Sequence, residues 1–115
     1  MHPYILSVLK NSKISLPDGS KKPLTSNIDL DEAEFLSLIV SQLETVSLGV
    51  EVGLAYGVSA GVICSTASQK NHNYYHIAVD PYQGRDYGFA GVHTVKAVGQ
   101  DKFRLFEERS DIEIY

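Results

Sequence analysis

Apolar residues fall along this chain in blocks of alternating helical and strand character, with polar turns between them. Residues 4–9 read as a short helix, and the polar stretch 11–27, with Pro17, Asp18, Gly19 and Pro23, reads as a loop or lead-in. A helix is predicted to start at Asp29: its side chain can accept a backbone N–H while Glu32 reaches back, the arrangement of a capping box. Leu30, Ala33, Phe35, Leu36, Ile39, Val40 and Leu43 then recur at helical spacing and give one apolar face.

The pattern next turns β-rich. Residues 46–52 are too few and too apolar for a surface helix and predict a buried strand that ends at Gly53. Residues 58–69, rich in small apolar side chains, predict a helix packed closely on a sheet, and 74–80 a second strand stopped by Pro81. After a loop through Gly84 and Gly88, residues 89–98 predict a helix closed by Gly99, and 102–107 a third strand. The order is a helix followed by β-α-β-α-β, which implies parallel strands joined by right-handed crossovers in a doubly wound α/β sheet.

Composition narrows the class without changing the fold. A chain of 115 residues with 43% hydrophobic and 21% charged residues suits one soluble domain. A net charge of -4 with no run of Lys and Arg argues against nucleic acid or an anionic membrane as the main partner. No apolar stretch approaches the roughly 20 residues of a membrane span. The first residues lack a basic segment and a small-residue cleavage site, so a cytoplasmic location is expected. The single cysteine, Cys64, sits in an apolar helical pattern and reads as a buried thiol.

The chemistry concentrates in Val50-Glu51-Val52-Gly53-Leu54-Ala55-Tyr56-Gly57-Val58-Ser59, where a buried strand passes through two glycines into a helix. Glycine tolerates positive φ and has no Cβ, so backbone can approach a ligand there. A dinucleotide site would need G-x-G-x-x-G and would set pyrophosphate against the helix N-terminus, where Glu51 would repel it by about 4 kcal/mol at 4 Å. A ligand carrying an ammonium and a sulfonium would be attracted instead.

This segment resembles the first motif of class I S-adenosylmethionine-dependent methyltransferases, particularly the small O-methyltransferase-like branch. Ile77-Ala78-Val79-Asp80-Pro81-Tyr82 resembles that family's second strand ending in an acidic residue. The resemblance implies a Rossmann-like sheet, S-adenosylmethionine as cofactor and a small-molecule methyl acceptor. It implies that Glu51 lies near the methionine amino group, that Asp80 grips the ribose hydroxyls, and that Gly53, Ala55, Tyr56, Gly57 and Ser59 form the cofactor loop. The Ser59 hydroxyl either binds ligand or caps the following helix. Tyr82, with Arg85, Asp86, Tyr87 and His93 near it, fits a ligand pocket or a tyrosine-rich surface loop, and Ser110 falls where the family contacts adenine.

The resemblance runs from Ile28 to about Asp111, which divides the chain into a lead-in (residues 1–27) and a cofactor-binding half (residues 28–115). The family continues into a fourth strand and a substrate pocket that this sequence lacks, so an incomplete sheet of about three strands is expected. The chain then reads as a fragment or truncated product, as a compact relative of the family, or as a homodimer completed through the open edge of its first strand. A non-catalytic cofactor-binding remnant and a nucleotide-dependent oxidoreductase are the alternatives.

Gly57-Val58-Ser59-Ala60-Gly61 also spells the G-x-S-x-G of a hydrolase nucleophile elbow, with Asp80 and His93 following in hydrolase order. An elbow serine sits on the turn directly after the strand, however, and here Gly53 already ends the strand. His72 and His76 lead into a strand without supporting cysteines or carboxylates and predict structural or solvent-facing roles, and no metal site is expected.

Overall fold

The computed structural model describes residues 1–25 and 28–107. Helix α1 (Pro3–Asn11) starts with Pro3 in its first turn, and the His2 ring accepts the Tyr4 N–H at 3.0 Å. Strands β1 (Lys13–Ser15) and β2 (Lys21–Pro23) then pair antiparallel within the stretch expected to be loop, with the predicted turn residues Pro17, Asp18 and Gly19 between them.

Helix α2 (Leu30–Ser41) has the predicted capping box. Asp29 accepts the Glu32 N–H at 2.8 Å, and Glu32 accepts the Asp29 N–H at 3.1 Å. Its apolar face is narrower than the sequence suggests: Ala33 and Val40 are buried and Leu36 packs beside them, while Phe35 is 63% exposed and Ile39 and Leu43 are also exposed. The apolar positions wrap too far around the helix for all of them to face α3 and α1, the helices against which α2 packs, and Leu43 falls beyond its end.

The β-α-β-α-β order is as predicted: β3 (Leu48–Val52), α3 (Val58–Lys70), β4 (Tyr75–Val79), a one-turn helix α4 (Gln83–Asp86), α5 (Ala90–Ala97) and β5 (Phe103–Phe106). Gly99, at φ 83°, follows the end of α5 as expected. The three strands run parallel in the order β3-β4-β5, with Val50 opposite Ile77 and Ile77 opposite Arg104.

The winding departs from expectation. Helices α3 and α5 pack on each other and against the sheet face that carries Ala78 and Leu105, enclosing a core of Leu54, Ala60, Ala78 and Val95. A second core, with Ile5, Ile14, Val62 and Tyr74, lies further out among the helices and the hairpin. On the other face Val50 is 63% and Val52 84% exposed, and Leu48, Tyr75 and Phe106 are exposed with them. The described residues therefore form a two-layer arrangement with helices on one face of the sheet, because both crossovers lead the same way from β3 and only strands on the other side of β3 would bring crossovers to the opposite face. Parallel sheets are ordinarily covered on both sides, and among the described residues β3 is both an edge strand and exposed on one side. No helix among the described residues is long and apolar enough to cross a membrane.

Candidate functional site

At the end of β3, Gly53 turns the chain with φ 86° while its N–H still donates to the Val79 carbonyl at 2.7 Å, so the loop begins as a continuation of the β3–β4 ladder. The next two amides, of Leu54 and Ala55, donate to Asp80 Oδ2 at 3.1 and 2.9 Å. Ala55 takes φ 49°, a left-handed conformation uncommon outside glycine, and its carbonyl accepts Gln83 Nε2 at 2.9 Å. Tyr56 offers its carbonyl to the Thr94 hydroxyl at 2.8 Å, and its ring stands edge-on to Tyr87 with Lys22 nearby. Gly57, at φ 79°, begins α3 with no side chain capping the helix.

Asp80, directly after β4, is 4% exposed. Besides the two loop amides, its Oδ2 accepts Gln83 Nε2 at 3.2 Å, and Oδ1 accepts the Tyr82 N–H at 3.0 Å. The carboxylate expected to face a ribose is thus turned onto the loop. Gln83 is fully buried and works in both directions: its amide nitrogen reaches Ala55 and Asp80, while its Oε1 accepts Gly91 N at 2.7 Å and Val92 N at 3.2 Å. Asp80 and Gln83 together tie the glycine loop to the start of α5. Nothing in the sequence marked Gln83 except its place in Asp80-Pro81-Tyr82-Gln83.

Glu51 projects toward α3 and is 16% exposed. Its Oε2 accepts the Ser59 hydroxyl at 2.5 Å, and its Oε1 lies 3.3 Å from His76 Nε2. On the far side of the imidazole, His76 Nδ1 meets the Tyr74 hydroxyl at 2.7 Å. Ser59 therefore neither caps α3 nor stands free; it anchors Glu51 to the first turn of the helix. A negative side chain at a helix N-terminus is favoured by the partial positive charge of the unpaired N–H groups there.

The buried-thiol reading of Cys64 holds: the side chain is free and buried, and its thiol is pushed up to about 12 by burial and then by the Glu51 charge. Burial likewise raises the Tyr74 phenol, with Cys64 and Glu51 adding to it. His72 is exposed and His76 buried, in keeping with the roles expected of them.

The hydrolase constellation is not assembled. Ser59 is committed to Glu51, Asp80 to the loop amides, and His93 lies edge-on to Tyr4. Among the described residues, no group of three or more His, Cys, Asp and Glu converges as metal ligands would. Tyr82 lies beside the loop under the Arg85 guanidinium, 5.0 Å from its ring centre, whereas Ser110 lies outside the described residues.

At the loop itself, Ile28 and residues 54–59 line only a shallow depression. A roomier cleft of about 400 Å³ lies between α1 and the β1–β2 hairpin, lined by Tyr4, Ser7 and the exposed Lys13 and Lys21. That cleft gathers none of the loop's polar network, so size alone does not locate the site.

No protein-family profile and no curated protein matches this chain. Among solved structures, cofactor-bound Rv0187 from MTB is similar, with a TM-score of 0.62 at 13% identity, over 94% of this chain and 44% of that one. At that identity the likeness is one of fold: an α/β arrangement with a three-stranded parallel sheet and helices, compatible with part of a Rossmann-like domain. The chain spans less than half the length of that neighbour.

Proposed function

We propose that this chain is the cofactor-binding half of an S-adenosylmethionine-dependent methyltransferase that acts on an oxygen or nitrogen of a small molecule. The observation that carries the reading is the pairing of opposite recognition chemistries at one place. Glu51, a partly exposed carboxylate, is hydrogen-bonded to the first turn of a helix whose N-terminus has no side-chain cap. A carboxylate attracts an ammonium, and free helix-terminal N–H groups attract a carboxylate. Together they complement the zwitterionic amino-acid end of the cofactor, whereas a pyrophosphate would be repelled by Glu51.

Gly53 adds a stretch of backbone open to close approach, since a Cβ built there would meet no heavy atom within 4 Å. Asp80 holds the loop in shape, and its Oδ1, with one hydrogen bond, is the atom a ribose hydroxyl would have to reach. When bound, S-adenosylmethionine supplies an activated methyl group, and the contribution of these residues is to fix the donor in one orientation. That Rv0187 is cofactor-bound and shares the fold supports a ligand-binding role for this layer.

Calorimetric titration with S-adenosylhomocysteine tests the reading. The chain is expected to bind it in preference to NAD, and Glu51→Gln to weaken binding by about tenfold or more, roughly 1.4 kcal/mol. Binding of NAD but not S-adenosylhomocysteine would overturn the proposal.

A further inference from the structure

His76 is fully committed in a place where an apolar residue would pack more simply. It is 1% exposed in β4, and its ring is nearly parallel to Phe103, 10° between planes at a centroid distance of 6.2 Å. In the parallel register Glu51 stands opposite Ala78, which puts His76 and Glu51 on the same sheet face one step apart. A carboxylate only accepts hydrogen bonds, so the bond to Glu51 Oε1 requires the proton on Nε2. In the neutral ring Nδ1 is then an acceptor, and the Tyr74 hydroxyl donates to it.

The fold makes room for this chain of bonds. A Cβ on Gly49 would overlap the Tyr74 hydroxyl and come within 3.2 Å of His76 Nδ1, so β3 carries a glycine where the pair lies across it. Glycine in a strand interior weakens the strand, a cost that a purely apolar packing would avoid. Ser59 holds one oxygen of Glu51, and the imidazole holds the other. With either removed, the carboxylate regains rotational freedom about its flexible stem.

We propose that His76 is the positioning residue of Glu51: Tyr74 fixes the imidazole, and the imidazole fixes the carboxylate in the orientation that receives a ligand's ammonium group. The inference rests on the cofactor reading above and names the residue that sets affinity for the amino-acid end of the ligand.

The test compares two probes on the same chain: S-adenosylhomocysteine, and 5′-methylthioadenosine, which lacks the amino-acid group. His76→Phe keeps the stack on Phe103 and removes both hydrogen bonds. It is expected to weaken S-adenosylhomocysteine about tenfold and leave 5′-methylthioadenosine unchanged, while His76→Gln, which still offers an amide donor to Glu51, recovers most of the loss. Equal weakening of both probes, or of neither, overturns the proposal.

A ligand-free arm guards against a variant that does not fold. Nitrogen-15 NMR of the wild-type imidazole is expected to show the proton on Nε2 and an accepting Nδ1, and a proton found on Nδ1 alone overturns the proposal whatever the ligand data. If the wild-type chain binds neither probe, the cofactor reading fails and the ligand part of this inference with it, while the NMR result still reports the Glu51–His76 contact separately.

Discussion

Asp80→Ala is expected to destabilise the chain by about 3 kcal/mol or more, chiefly by undoing the glycine loop. The carboxylate is 4% exposed and accepts from four N–H groups: those of Leu54, Ala55 and Tyr82 and the Gln83 side chain. Bonds to an ionised acceptor are stronger than neutral ones, and deleting it leaves buried donors without partners. Asp80→Asn should cost about half as much, because its single carbonyl oxygen can serve Oδ2's three donors or Tyr82 but not both. Urea denaturation of the two variants checks this. If Asp80→Ala kept wild-type stability and lost only ligand affinity, the carboxylate would belong to the ligand rather than to the loop.

Gly57→Ala should be comparably damaging, for two separable reasons. The residue sits at φ 79°, where a Cβ costs about 1–2 kcal/mol. That Cβ would also lie 2.7 Å from the Gly91 carbonyl oxygen, 2.9 Å from Gly91 Cα and 3.0 Å from Thr94 Cβ. The closest of these are backbone atoms of α5, which cannot turn aside as a flexible side chain would, so the loop and α5 would have to separate. A total of about 3 kcal/mol or more is expected. Gly53→Ala is the internal control, since φ is 86° but the space is empty. It should lose only about 1–2 kcal/mol, the backbone part alone. Equal losses at the two positions in urea denaturation would mean that α5 does not press on the loop as described.

Elements with strong local signals were legible in the sequence, and features made by long-range packing were not. The Asp29 capping box, the abrupt end of β3 at Gly53 and the glycine after α5 each depend on a few neighbouring residues, and each is found where predicted. The β1–β2 hairpin reads as loop in the sequence because its three-residue strands, Lys13–Ser15 and Lys21–Pro23, are mostly polar and too short to show alternation. The bare face of the sheet was hidden for another reason: an apolar strand reads the same whether one or both of its faces are covered. What distinguishes the cases is whether crossovers run in both directions, and the two crossovers here run in one.

The loop between β3 and α3 is legible in the sequence as a turn, and its polar contacts are not. Glycines after an acidic strand residue, followed by a second strand ending just before Asp80, mark the turn that the structure shows after β3. The roles of its polar residues depend on register across strands and helices. Glu51 meets His76 from the neighbouring strand, and Gln83 bridges to α5 from a one-turn helix that looked like loop. No spacing along the chain encodes those contacts, which is why Gln83 and the Tyr74–His76 pair emerged only from the fold.

The most direct test of the cofactor reading is a residue-resolved one: nitrogen-15 amide spectra of the chain titrated with S-adenosylhomocysteine. The account predicts saturable shifts concentrated at Gly53, Leu54, Ala55, Tyr56, Gly57 and Ser59, with little change at Lys13, Lys21 and the rest of the α1–hairpin cleft. Shifts centred on that cleft, or a loop that stays silent at saturating ligand, would contradict it.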